Sequence, residues 1–110
     1  MLSLCSKAIV FCEYMLEISL LAEIKHLKFS ECEIALGILM ISCHFYANDD
    51  IDKLSIYDYG YNKNRINKYS KQLFKVLMEA SEVDVLRPIY DRYSREKYYF
   101  VACIRFVKKV

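Results

Sequence analysis

Glycine, proline and tryptophan are scarce in this 110-residue chain, which has two glycines (Gly37 and Gly60), one proline (Pro88) and no tryptophan. A β-sandwich or barrel turns tightly many times and uses glycine and proline to do so; that class is excluded, as is a glycine-rich phosphate loop. No two cysteines form a C-x2-C pair, and the five present (Cys5, Cys12, Cys32, Cys43 and Cys103) are odd in number. Free cysteine behaves as a small buried hydrophobe, and no disulfide framework is expected. Long apolar runs are lacking too. Residues 34–48, the longest uncharged stretch, number 15 and include Ser42, His44 and Asn48. That is short of the roughly 20 apolar residues that span a bilayer. The apolar stretch Ala8 to Cys12 is closed by Glu13 and Glu17 rather than by a small-residue cleavage site, so it does not read as a secretory signal. A soluble intracellular protein without membrane contact is the expectation.

What is present is core-forming material. Apolar residues make up 55% of the chain and charged residues 27%, enough burial for one compact domain over residues 1–110 and too short a chain for two. The apolar positions follow helical steps. Val10, Phe11, Tyr14, Met15, Ile18, Leu21 and Ala22 recur every three or four residues, which predicts a first helix over about residues 3–23. Ser30 with Glu33 three residues on is a capping box, and Phe29 before it can staple onto Ile34. From Ile34 to Phe45 the chain is apolar all round, the pattern of a helix buried on every side. This second helix is expected to be the central one, with Ala35 and Gly37 letting neighbouring backbones come close.

Further along, Asp50 to about Tyr57 predicts a short third helix, with Gly60 able to take the left-handed conformation at its stop. Asn62 caps a fourth, in which Ile66, Tyr69, Leu73, Val76, Leu77 and Ala80 form the apolar stripe. Pro88 is tolerated only in the first turn of a helix, so a fifth should begin between Asp84 and Arg87 and run to about Ser94. The aromatic and β-branched stretch Tyr98 to Val107 fits a short helix or an extended tail, and is read here as helix.

Little in the sequence speaks for metal or covalent chemistry. His26 and His44 have no ligand-type partner at zinc spacing, and Cys43 and His44, being adjacent, point apart on a helix. The thiols lie on apolar helix faces, where burial raises the pKa and makes cysteine inert; Asp49 and Asp50 read as a helix cap. No catalytic, metal or cofactor residue is assigned, and the chain is not read as an enzyme. Charge is more informative. The net charge is +2, yet residues 1–61 carry −5 and residues 62–110 carry +7. Arg65, Lys68, Lys71 and Lys75 share one helix face, with no acidic residue between 62 and 78. They are the candidate partner-binding residues: such a stripe can contact phosphates, although a solvated face opposite the core has the same pattern.

Read in order, the segments resemble a known family. Tyr14-Met15-Leu16-Glu17-Ile18-Ser19-Leu20-Leu21 is similar to the "YLLELSLL" that ends the first helix of the cyclin C-terminal box. Leu27-Lys28-Phe29 followed by Ile34-Ala35 and Gly37 is similar to "LKYPPSLIAAAAL", with Ser30-Glu31 in place of the double proline. Gly60-Tyr61 matches "TGY", and Tyr93-Ser94, Lys97-Tyr98 and Val101-Ala102 match "KYSSSKFxxVA". Pro88 stands where the family commonly has alanine. The order and gaps agree across about residues 3 to 104.

The resemblance implies an all-α, compact five-helix cyclin-box bundle with a buried central second helix. It also implies a noncatalytic regulatory domain that supports binding and activation of a cyclin-dependent protein kinase in cell division. In that family the N-terminal box makes most of the kinase contacts. It has no counterpart in these 110 residues, which are expected to be either a piece of a longer cyclin, joined to such a box, or a reduced single-box protein. Cyclin-like boxes also occur in transcription factor IIB-type proteins, where they contact DNA. The basic face of Arg65, Lys68, Lys71 and Lys75 recommends that alternative, the only one with a nucleic acid partner.

Overall fold

Each long segment carries apolar residues at helical spacing, and burying part of them against their neighbours builds the molecule. The computed structural model describes residues 6–22, 29–47 and 62–103. Within them lie four α-helices: α1 (Ser6–Ala22), α2 (Glu31–Ser42), α3 (Lys63–Glu79) and α4 (Arg87–Tyr93). A π-helical turn, Cys43–Ala47, extends α2, and 3-10 turns occupy Ala80–Glu82, Glu96–Tyr98 and Val101–Cys103. No strand occurs among the described residues. The Cα radius of gyration of 13.6 Å is close to the roughly 13 Å expected of a compact chain of this length. The third helix expected over Asp50 to Tyr57, its stop at Gly60 and the tail beyond Cys103 lie outside the described residues.

Helix starts follow the local chemistry. The Ser30 hydroxyl accepts from the Glu33 amide at 3.1 Å, while the Glu33 carboxylate accepts from the Ser30 amide at 2.8 Å. Two donors that the first turn leaves orphaned are thereby satisfied, a cap worth about 1 kcal/mol. At α3 the Asn62 side-chain oxygen accepts from the amides of Asn64 and Arg65, at 3.0 and 3.3 Å. Pro88 sits in the first turn of α4, where its missing N–H removes no helical bond.

The centre of the bundle is α1 rather than α2. Its residues Phe11, Tyr14, Met15 and Ile18 are fully buried, and α1 packs on α2, α3, α4 and the Val101–Cys103 turn. The expectation that α2 is buried on every side is corrected: Glu31, Cys32 and Ala35 are exposed, and burial is confined to Glu33, Gly37, Ile38, Ile41 and Ser42. With small or polar residues at 31, 32 and 35, that side has little apolar surface to hide, and α2 lies chiefly between α1 and α3. Gly37 does provide a close approach. A Cβ there would overlap Cδ2 of the buried Tyr69 ring and lie 3.1 Å from Cε2. Phe29 packs edge-on against Tyr69, with ring centroids 5.2 Å apart.

Across the described part of Tyr98 to Val107, the chain forms short turns rather than one helix. Tyr99 and Phe100 take left-handed backbone angles, with φ of 57° and 55°, a conformation that costs a bulky residue energy and ends any helical run. The backbone amides of Tyr98 and Phe100 donate to the Arg95 carbonyl at 3.0 and 3.1 Å. That bend delivers Val101 and Ala102 into the core.

Candidate interaction surfaces

The stripe predicted on α3 divides into two parts. Lys68, Lys71 and Lys75 are exposed and form no ion pair among the described residues. Arg65 is different. Its Nε donates to the Glu33 carboxylate at 2.7 Å, and its guanidinium lies 5.1 Å from the Phe29 ring centroid. The Arg65 bond and the Ser30 amide together hold the Glu33 carboxyl below its ordinary pKa. One carboxylate therefore caps α2 and ties it to α3, and Arg65 is withdrawn from the basic face into the fold. Sequence spacing put four cations on one side of a helix; what the neighbouring helix offers one of them was invisible from spacing.

A second polar knot joins α1 to α4. The Tyr93 hydroxyl donates a short hydrogen bond to Glu17 Oε2, and Arg92 donates to Oε1 at 3.0 Å. Burial, together with the Glu17 carboxylate that accepts the proton, pushes the Tyr93 hydroxyl upward in pKa. Tyr93 also stacks near Tyr14 and Tyr98, with centroids 5.3 and 4.8 Å away. Deeper in, the Tyr14 and Tyr69 hydroxyls are buried without a hydrogen-bond partner among the described residues. Ser19 bears on Tyr69 and partly offsets the upward push of burial, but its own hydroxyl donates to the Leu16 carbonyl at 2.8 Å. Cys12 is half-buried, and desolvation raises its thiol pKa despite the nearby Ser42 hydroxyl. A raised thiol is a weak nucleophile at neutral pH. Among the described residues no group of His, Cys, Asp and Glu is arranged to hold a metal ion, and no helix is long and apolar enough to cross a membrane.

One concave feature had no signal in the sequence reading. Residues from the C-terminal ends of α1 and α3 and from the connection leading to α4 together line an apolar groove of about 300 Å³. Leu21 and Ala22 form one wall, Val76 and Glu79 another, and Val83, Val85 and Leu86 the third. Helical spacing placed Leu21, Ala22 and Val76 in the core stripes of their helices; in the fold all three line the groove, and Leu21 is half-exposed.

The residues that resemble cyclin motifs are mostly spent on these internal contacts. Glu17 and Tyr93 form the α1–α4 knot, while Gly37 admits Tyr69, and Val101 and Ala102 plug the core. This use agrees with comparison at the level of families. The chain matches the family model described as the cyclin C-terminal domain over residues 3–106, nearly its whole length, and it belongs to that family, a regulatory and noncatalytic one. No curated protein and no solved structure matches the chain.

Proposed function

We propose that this domain is the C-terminal box of a cyclin and supports the binding and activation of a cyclin-dependent protein kinase through protein contacts alone, in the nucleus or cytoplasm. The observation that carries the reading is the family match over residues 3–106. The internal use of the motif residues supports a rigid docking body rather than a reaction site. A bound subunit shifts a kinase toward its active state only by binding that state more tightly. Such work needs a stable surface and no catalytic group. Residues 1–110 act in this reading as one box, and an N-terminal cyclin box is its second partner.

The test is binding of the 110-residue chain to a cyclin-dependent kinase catalytic subunit, alone and with an N-terminal cyclin box supplied, read by calorimetry and by kinase activity. Binding in either condition, with a rise in activity, is the expected result. Absence of binding in both overturns the reading.

A second reading, DNA contact by a transcription factor IIB-type box, is favoured by the exposure on one face of Lys68, Lys71 and Lys75, which form no ion pair among the described residues. Three phosphate contacts would make the logarithm of duplex affinity fall with the logarithm of salt at a slope of about −2.7. Changing Lys68 and Lys71 to Gln should flatten that slope by about two. Salt-insensitive binding excludes this reading.

A further inference from the structure

Exposed large apolar side chains are concentrated at one end of the molecule. Leu20 and Leu21 at the end of α1, Met78 at the end of α3, and Val83 and Val85 in the following connection are all more than a third exposed. Three of the five line the groove described above. Exposed apolar side chains grouped around a groove are a feature of interaction sites. The groove's volume of about 300 Å³ is at the lower end of the roughly 300–1,000 Å³ that ligand pockets occupy, a size that suits one or two bulky side chains of a peptide. Charge at the same end is also specific. The chain from Glu79 to Leu86 carries three carboxylates, Glu79, Glu82 and Asp84, and no base. None forms an ion pair among the described residues. The flanking cations do not neutralise them: Arg87 leans toward Asp91 at 3.9 Å, and Lys75 stands one turn earlier on α3. This is an acidic island in the half of the chain that is otherwise basic.

We propose that the groove bounded by Leu21, Val76, Val83 and Val85, with Glu79 in its wall, docks a short segment of a partner protein that carries bulky apolar side chains flanked by lysine or arginine. The apolar anchors fill the groove, and the flanking cations meet Glu79, Glu82 and Asp84, which selects the partner by sign and steers its approach. An amphipathic helix with anchors one turn apart meets both demands. The inference goes beyond the regulatory reading and does not depend on which kinase, if any, the domain serves.

The test uses fluorescence polarisation of the whole chain with a labelled peptide bearing two leucines one helical turn apart and arginines on either side. Two control peptides replace the arginines by glutamates or the leucines by serines. The basic, leucine-bearing peptide is expected to bind, and each control to bind at least about tenfold more weakly. Val85→Glu places a charge at a solvent-facing position, leaves the thermal melt unchanged and weakens binding by a similar factor. Glu79→Lys moves the preference toward the acidic peptide, which a merely unfolded variant would not do. Equal binding of the acidic peptide, no binding by any peptide, or binding indifferent to Val85→Glu overturns the proposal. So does concentration-dependent dimerisation that Val85→Glu abolishes, which would give the groove to a second copy of the chain.

Discussion

Helices α1 and α3 have the same length, 17 residues, and opposite relations to water. On α3 the apolar stripe and the lysine face are cleanly separated; Ile66, Tyr69, Leu73 and Leu77 are buried, and Lys68, Lys71 and Lys75 are exposed. On α1 apolar residues occur on both sides. Phe11, Tyr14, Met15 and Ile18 are buried, yet Ile9, Leu16, Leu20 and Leu21 are about half exposed or more. A segment that is polar on one side can be oriented from its own sequence, because only one rotation hides the apolar stripe. A segment that is apolar on both sides has no such preference, and its neighbours choose which side is enclosed. The same indifference holds for α2, whose apolar residues run nearly all round.

The sharpest way to break the contrast is at Gly37, where α2 meets α3. Gly37→Leu forces a side chain into the space of the buried Tyr69 ring and should cost about 3 kcal/mol, the upper end for overpacking. A denaturant midpoint unchanged by the substitution would show that α2 and α3 do not approach as described. Next comes Glu17→Gln, which keeps the shape but removes the charge that Tyr93 and Arg92 share. A loss of about 1.5 kcal/mol is expected, as for hydrogen bonds to a charged group, with most of it from the Tyr93 bond because Arg92 is about half-exposed and screened by solvent. Replacing Arg92 by Gln should therefore cost less than replacing Glu17, and the reverse order would refute that assignment. Ser30→Ala should lower stability by about 1 kcal/mol through loss of the cap, again read from the denaturant midpoint.

Glu33 makes the comparison pH-dependent. Its carboxyl pKa is lowered in the folded chain, first by Arg65 and then by the Ser30 amide. The stabilisation is therefore complete above the unfolded value of about 4.3 and is lost as pH falls through the lower folded value. Arg65→Gln removes the larger cause, so the variant should lose less stability than the parent on acidification across that range. Parallel acid profiles would contradict the tie between α2 and α3. The smallest effect is expected on the solvated side of α3, where Lys68→Gln should change stability by no more than about 0.5 kcal/mol.

Much of this architecture was legible beforehand, and for local reasons. The capping box at Ser30 and Glu33, the Asn62 cap and the place of Pro88 in a first turn all depend on residues within a few positions of one another, so the sequence pattern carried them. The candidate surface was legible only in part. Lys68, Lys71 and Lys75 stand where helical spacing put them. Arg65 does not belong with them, because Glu33, 32 positions earlier, draws it across to α2. The groove at Leu21, Val76 and Val85 had no sequence signature, since it is formed by three segments that meet only in the folded chain.

The sequence by itself determined the all-helical class, the helix starts, the buried stripe of α3 and the cyclin C-terminal resemblance that the family match shows. Each of these follows from spacing or capping chemistry acting over a few residues. Only the tertiary structure decided that α1 rather than α2 packs on the most neighbours, that Arg65 serves the fold, and where apolar surface is left open beside carboxylates that form no ion pair among the described residues. Those outcomes depend on which faces compete for the same interior volume. A close-packed core resolves that competition collectively, and no single segment carries the answer.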